Sequence, residues 1–209
     1  MTEPVRVAAL ESVLDEETAR AEIYGLLAHL FYQPPAPQTL AQMRLAVTEA
    51  PTPGAFLEEP WRHLVGVTRE MSDQAVQEEY NLLFAGVGKP ELYLFGSHYL
   101  SGFLNEKPLV RLRDDLAALG LARDEAMPET EDHIAYLCEV MRYLIAGEDA
   151  GVSDLKQQRN FYLAHLHPWV AQMCEALSAH PKGRFYAALA VFLAAFASVE
   201  AQGFDMLDA

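Results

Sequence analysis

Basic side chains are scarce in this chain of 209 residues: 15 Lys and Arg stand against 30 Asp and Glu, a formal charge of −15. A surface of that sign repels nucleic-acid phosphates and anionic lipid headgroups, which both require basic patches, so neither is expected as a partner. Cysteine is nearly missing as well. Cys138 and Cys174 stand far apart with no CxxC pair, which excludes a disulfide scaffold and an iron–sulfur protein and suits a reducing compartment. No basic stretch followed by an apolar run opens the chain, so no signal peptide is expected. The longest apolar run, FYAALAVFLAAFASV from Phe185 to Val199, stops at 15 residues. That is short of the ~20 needed to cross a bilayer, and it reads as a buried helix without stable membrane insertion. Together these features predict a cytoplasmic protein.

Strand alternation and internal repeats are absent too; what is present is helical periodicity in a chain that is 51% hydrophobic and 22% charged. DEETARAEIYGLLAHLFYQPP opens with acids near the positive end of a helix dipole, sets Ile23, Leu26, Leu27, Leu30 and Phe31 along one face, and stops at Pro34-Pro35. Further helices are predicted over about 37–48, 60–71 and 73–84. The middle, AGVGKPELYLFGSHYLSGFLNEKP, is rich in glycine, proline and aromatics and has poor periodicity. Beyond it EKPLVRLRDDLAALG forms a helix stopped by Gly120, and another runs over about 131–146. SDLKQQRNFYLAHL, PWVAQMCEALSA and RFYAALAVFLAAFASVEAQ make three more. The expected architecture is all-α: a single bundle-like domain of about eight or nine helices over residues 15–205, with an irregular Gly/Pro-rich central loop. Residues 1–14 form a flexible N-terminus, and a hinge falls at 121–130, where the chain turns polar.

Common catalytic signatures fail one by one. Di-iron bundles place a Glu three residues before a His on one helix; none of the seven histidines has one, and HExxH is absent, so no metal is expected. GVGKP, from Gly86 to Pro90, resembles the end of a phosphate loop. Yet Leu83 stands where its first glycine belongs, and Pro90 where Ser or Thr must hold magnesium. Ser97 in FGSHY has Phe95 where a nucleophile elbow needs glycine. Neither cysteine has an evident basic neighbour to activate it. No catalytic residue and no cofactor are expected.

One stretch resists a purely structural account. In PETEDHIAYLCEVMRYLI, from Pro128 to Ile145, Thr130 is placed to cap a helix, and Glu131 and Asp132 fall in its first turn, where carboxylates offset unpaired N–H groups. Capping leaves His133 unexplained. At that spacing it shares a face with Leu137, Val140 and Leu144, at the rim of a core or a pocket. Three readings stay open: a satisfied structural pair, a peptide-binding site in which Asp132 and His133 grip backbone and basic groups, and an acid–base pair.

Three ordered blocks carry a resemblance to the TorD/DmsD family of redox-enzyme maturation chaperones. EEYNLLFAGVGKPELY is similar to its Tyr-x-x-Leu-Phe block and Gly-rich loop, here Tyr80, Leu83 and Phe84. FGSHYLSGFLNEKPLVRLR is similar to its Gly-Ser-x-Tyr segment, here Gly96, Ser97 and Tyr99. ETEDHIAYLCEVMRYL resembles its Glu-x-x-Asp-His hinge motif, here Glu129, Asp132 and His133, with Thr130 and Glu131 where proline is usual. FYLAHLHPWV matches a later helix pattern. The resemblance spans roughly 15–205 and implies an all-helical, non-catalytic, cytoplasmic chaperone. Its partners would be a molybdoenzyme catalytic-subunit precursor and the twin-arginine signal peptide of that precursor. It further implies peptide-binding roles for Gly96, Ser97, Glu129, Asp132, His133, Tyr80 and Tyr99. The client most resembled is a formate dehydrogenase, and the oligomeric state a monomer or a domain-swapped dimer. Alternatives are an assembly chaperone similar to NarJ for nitrate reductase, or a small helical nucleotide hydrolase using Asp132 and His133.

Overall fold

The computed structural model describes residues 3–49, 56–85, 89–104, 107–124, 127–147 and 154–206, without the side chains of residues 3–15. Gly86, Val87 and Gly88 of the GVGKP loop lie outside the described residues. Among the described residues ten helices appear in order: α1 (Glu3–Tyr32), α2 (Pro37–Leu45), α3 (Glu58–Glu70), α4 (Asp73–Phe84), α5 (Gly96–Ser101), α6 (Lys107–Ala118), α7 (Ile134–Ala146), α8 (Leu155–His165), α9 (His167–Ser178) and α10 (Phe185–Asp205). The all-α expectation holds, with one helix more than the sequence predicts. The addition is α5, a short helix inside the supposedly irregular central segment, ended by Gly102 in a left-handed conformation at φ +79°.

α1 also departs from expectation. Its backbone is helical from Glu3, through the residues read as a flexible N-terminus, rather than from the acids at 15–17. VRVAALESVL contains no glycine, and its only neighbouring proline, Pro4, sits in the first turn, where a missing N–H costs nothing. At α4, α6 and α8 the boundaries follow local chemistry. Ser72 accepts the Ala75 N–H at 3.2 Å to start α4, and Asp154 accepts the Gln157 N–H at 2.8 Å to start α8. Gly120, at φ +72°, closes the turn after α6.

α1 packs along α7, while α10 packs on α9, α3 and α4. Leu27, Leu30 and Phe31 of α1 are fully buried; Ile23 and Leu26 are only partly covered. By length and composition α10 is apolar enough to cross a bilayer. Its large side chains Phe185, Tyr186, Leu189, Phe192, Leu193 and Phe196 are instead buried in the core. A polar clamp ties the α1–α10 seam. Arg20 donates to both Glu200 oxygens at 2.8 and 2.9 Å, and the Tyr24 hydroxyl donates to Glu200 Oε2 at 2.9 Å. The buried carboxylate thus has three donors, as a charge out of water requires.

Candidate functional site

After α4 the chain doubles back, and Leu94–Phe95 runs antiparallel to Asp132–Ile134. The Gly96 N–H donates to the Asp132 carbonyl at 2.9 Å, the Ile134 N–H donates to the Leu94 carbonyl at 2.8 Å, and Phe95 faces His133 in an isolated β-bridge. The two blocks singled out in the sequence, 35 residues apart, are therefore clasped together at the point where α5 and α7 begin.

The clasp corrects the expected cap. Thr130, Glu131 and Asp132 do not start α7, because the backbone of 132–134 is taken up by pairing with 94–96 and the helix begins at Ile134. His133 is the N-cap: its Nδ1 accepts the Ala135 N–H at 3.2 Å. Asp132 serves the other helix. Its Oδ2 accepts the Ser97 N–H at 2.8 Å, and its Oδ1 accepts the Thr130 hydroxyl at 2.6 Å. Glu131 turns outward into a two-pronged pair with Arg113 at 2.9 and 3.0 Å.

Both members of the motif are buried, Asp132 at 3% exposure and His133 at 4%. The His133 ring meets Phe95 edge-on at 5.0 Å. Burial pulls its pKa down to about 4, with the Asp132 charge opposing the shift, so the imidazole is neutral near pH 7. A neutral ring whose Nδ1 accepts a backbone N–H carries its proton on Nε2. The two side chains thus cap different helices, and His133 does not share the α7 face with Leu137, Val140 and Leu144 as the sequence spacing suggests.

Beside the clasp, α5, α6, α7 and α9 enclose a cavity of about 290 Å³. Gly96, Ser97 and Asp132 line it, with Leu112, Leu137 and Trp169 as apolar walls and Arg111 and His165 toward α6 and α8. Gly96 is required here: a Cβ at that position would lie 2.9 Å from Trp169 Nε1. Trp169 is fixed by donation from Nε1 to the His165 carbonyl at 2.6 Å and by Tyr99 stacked on it at 5.6 Å and 16°. Tyr99 is held in turn through its hydroxyl, which donates to the Tyr93 carbonyl at 2.9 Å. His165 Nε2 meets Asp115 Oδ2 at 2.8 Å. Ser97 is fully buried, and its Oγ has no hydrogen-bond partner among the described residues. A buried hydroxyl left so costs about 1–3 kcal/mol relative to a bonded one.

Of the seven residues singled out, Gly96, Ser97 and Asp132 share this cavity. His133 lies behind it as the α7 cap, and Tyr99 props Trp169. Tyr80 and Glu129 belong elsewhere. The Tyr80 ring packs against Phe84 at 5.2 Å and Tyr186 at 5.7 Å, and its hydroxyl donates to the Tyr32 carbonyl at 2.9 Å. Burial, then the Glu129 carboxylate, pushes its phenol up to about 12. Sequence reasoning did not assign Trp169, Arg111, Leu112, Leu137 and His165 to the site. One signal was available for Trp169: it is one of only two tryptophans, and it lies on an apolar helix face. Among the described residues no group of three His, Cys, Asp or Glu is placed to hold a metal ion.

Residues 53–175 match the sequence profile of the nitrate reductase delta subunit family. Two curated proteins from Vibrio cholerae strains, each named chaperone protein TorD, are 26% and 27% identical to this chain over 211 residues; each match covers 93% of this chain and 95% of the relative. A solved structure from Archaeoglobus fulgidus, described as a redox enzyme maturation protein, superposes with a TM-score of 0.52 at 17% identity. It covers 86% of this chain and 92% of that one, so it speaks to the all-helical fold.

Proposed function

The chain belongs to the nitrate reductase delta subunit family, and we propose that it is a cytoplasmic chaperone for a molybdenum-containing oxidoreductase. It holds the unfinished catalytic subunit, through that subunit's twin-arginine signal peptide, until the cofactor is in place, and catalyses no reaction itself. The names of the similar Vibrio proteins support the chaperone class. A formate dehydrogenase is the client suggested by the sequence blocks, and the protein acts as a monomer or a domain-swapped dimer.

The observation that carries the peptide-binding part is the Ser97 hydroxyl, unpaired among the described residues, beside the Asp132 carboxylate in a slot walled by Leu112, Leu137 and Trp169. An aliphatic side chain would leave that hydroxyl unsatisfied, and an acidic one would meet Asp132. An arginine side chain answers both: its guanidinium donates to Asp132 and Ser97 while its stem lies along Leu112, Leu137 and Trp169. Arg111, at the mouth, has a mostly exposed side chain beside Asp115 and keeps its charge in solvent.

Isothermal titration with a twin-arginine signal peptide, and with Lys-Lys and Ala-Ala versions, tests the reading. The arginine peptide should bind at least tenfold more tightly than either. Ser97→Val, which preserves volume and removes the hydroxyl, should erase most of the difference. Absence of heat with every version removes signal-peptide binding. A second reading, assembly factor for a nitrate reductase, is favoured by the description of the family itself. Tagged protein recovered from cells would carry that enzyme in place of formate dehydrogenase. A hydrolase using Asp132 and His133 has less support, since the two groups cap separate helices; nucleotide turnover lost in His133→Asn would revive it.

A further inference from the structure

A second concavity, sharing no residue with the Ser97 cavity, lies where α1, α3 and α10 meet the end of α2. It measures about 410 Å³. Ile23 and Leu26 of α1, Leu57 and Trp61 at α3, and Phe192 of α10 form its floor, with Val47 on one wall. Trp61 is fixed over the floor by donation from its Nε1 to the Val47 carbonyl at 2.9 Å and by contact with Phe192 at 5.5 Å. Along the same edge Leu45, Val47 and Phe56 stand 84%, 78% and 78% exposed. This is more adjacent apolar surface than an isolated exposed leucine, which needs no explanation.

The rim is of one sign. Glu22 on α1 and Glu49 on the chain after α2 face the groove as exposed carboxylates with no ion pair among the described residues. Glu58, the third acid, is paired with Arg62 at 2.6 Å. Among the described residues no Lys, Arg or His lines the groove. An occupant that is apolar throughout would leave two carboxylates partly desolvated and unpaired, and an acidic one is repelled. A second copy of this chain, at −15, brings more acid than base to the same rim.

We infer that this groove docks an amphipathic helical segment of a partner polypeptide, with an apolar stripe spaced i, i+3 or i+4, i+7 and Lys or Arg on its flanks. Helix-in-groove recognition needs this combination: apolar anchors on the floor and charges of opposite sign at the rim. It rests on the chaperone reading only for the nature of that partner, the client enzyme, and not for the Ser97 cavity.

The test uses the full chain with a single environment-sensitive fluorophore on V47C. Cys138 and Cys174 are buried, and burial pushes both thiols up, so labelling goes to the exposed position. The probes are two helical peptides with the same Leu stripe, one flanked by Lys and one by Glu, and a third with the Leu positions scrambled. The Lys-flanked peptide should shift the fluorescence and bind at least tenfold more tightly than the other two. In the charge swap Glu22→Lys/Glu49→Lys the preference should reverse toward the Glu-flanked peptide, with helical circular dichroism unchanged. Equal binding of all three peptides, a silent label, or an affinity unmoved by the swap overturns the inference. A fluorescence shift that follows protein concentration without peptide also overturns it, in favour of self-association. Twin-arginine peptide binding is measured in parallel on the swapped chain: its absence there and in wild type sinks the signal-peptide reading and leaves this one standing.

Discussion

At pH 7 the His133 imidazole is uncharged in the folded chain, its pKa held at about 4 by burial, against an ordinary value near 6.5. Above pH 6.5 folded and unfolded chains carry the same neutral ring, and its contribution to stability is fully present. As pH falls from 6.5 toward 4 the unfolded chain takes a proton that the folded one refuses, so stability is lost across that window, by about 2 kcal/mol at pH 5. Asn at an N-cap can accept the Ala135 N–H without titrating. His133→Asn should therefore keep most of its pH 7 stability and lose about 2 kcal/mol less than wild type on acidification. Urea unfolding of both at pH 7 and pH 5 measures it, and parallel acid loss in the two proteins would show that His133 is not the responsible group. The motif containing this residue was legible in the sequence, but its role was not. Spacing can say that His133 is near a helix start; only the pairing of Leu94–Phe95 with 132–134 decides that the helix starts one residue later and that Asp132 turns to α5.

Helix starts are set by such long-range partners elsewhere too. α10 has no local side-chain cap: Arg184, its N-cap, stands at φ −132° and ψ −65° with no side-chain bond to the first turn. The acceptor comes from α4, where the buried Glu79 carboxylate takes the N–H groups of Arg184, Phe185 and Tyr186 at 2.8, 3.1 and 2.8 Å. Glu79→Ala should leave three N–H groups without their acceptor and cost about 2–3 kcal/mol, and Glu79→Gln, which keeps one carbonyl oxygen, distinctly less. Equilibrium unfolding in urea reads both, and Ala and Gln variants of equal stability would refute the capping role. Nothing in EEYNLLF announces this. Glu79 sits among neighbours of helical period, and its partner lies 105 residues away. The same limit hid α5. GSHYLS has no local cap and too few residues for a visible period, and the Asp132 carboxylate from outside starts it. Helices with a self-contained signal, such as α4 with Ser72 before it, were placed correctly from sequence.

Across the whole molecule the all-α class was readable because apolar residues recur at helical spacing through almost every segment, whereas the two concavities were not, since each needs walls from three or more helices. Net charge was readable in full, and it bears on kinetics more than on affinity. A chain at −15 draws a cationic peptide in over a distance comparable to the Debye length, about 8–10 Å at physiological salt. Raising ionic strength from 20 to 200 mM should slow kon for a twin-arginine peptide roughly tenfold and change koff far less. Steering reads charge alone, so a Lys-Lys peptide should show the same salt slope in kon. On the proposed reading the slot beside Asp132 and Ser97 selects a planar guanidinium, and the Lys-Lys peptide should then leave faster at every salt concentration. Stopped-flow mixing separates the two constants. If the peptides differ in kon and share one koff, discrimination lies in the long-range field, and the Ser97 cavity is not where arginine is recognised.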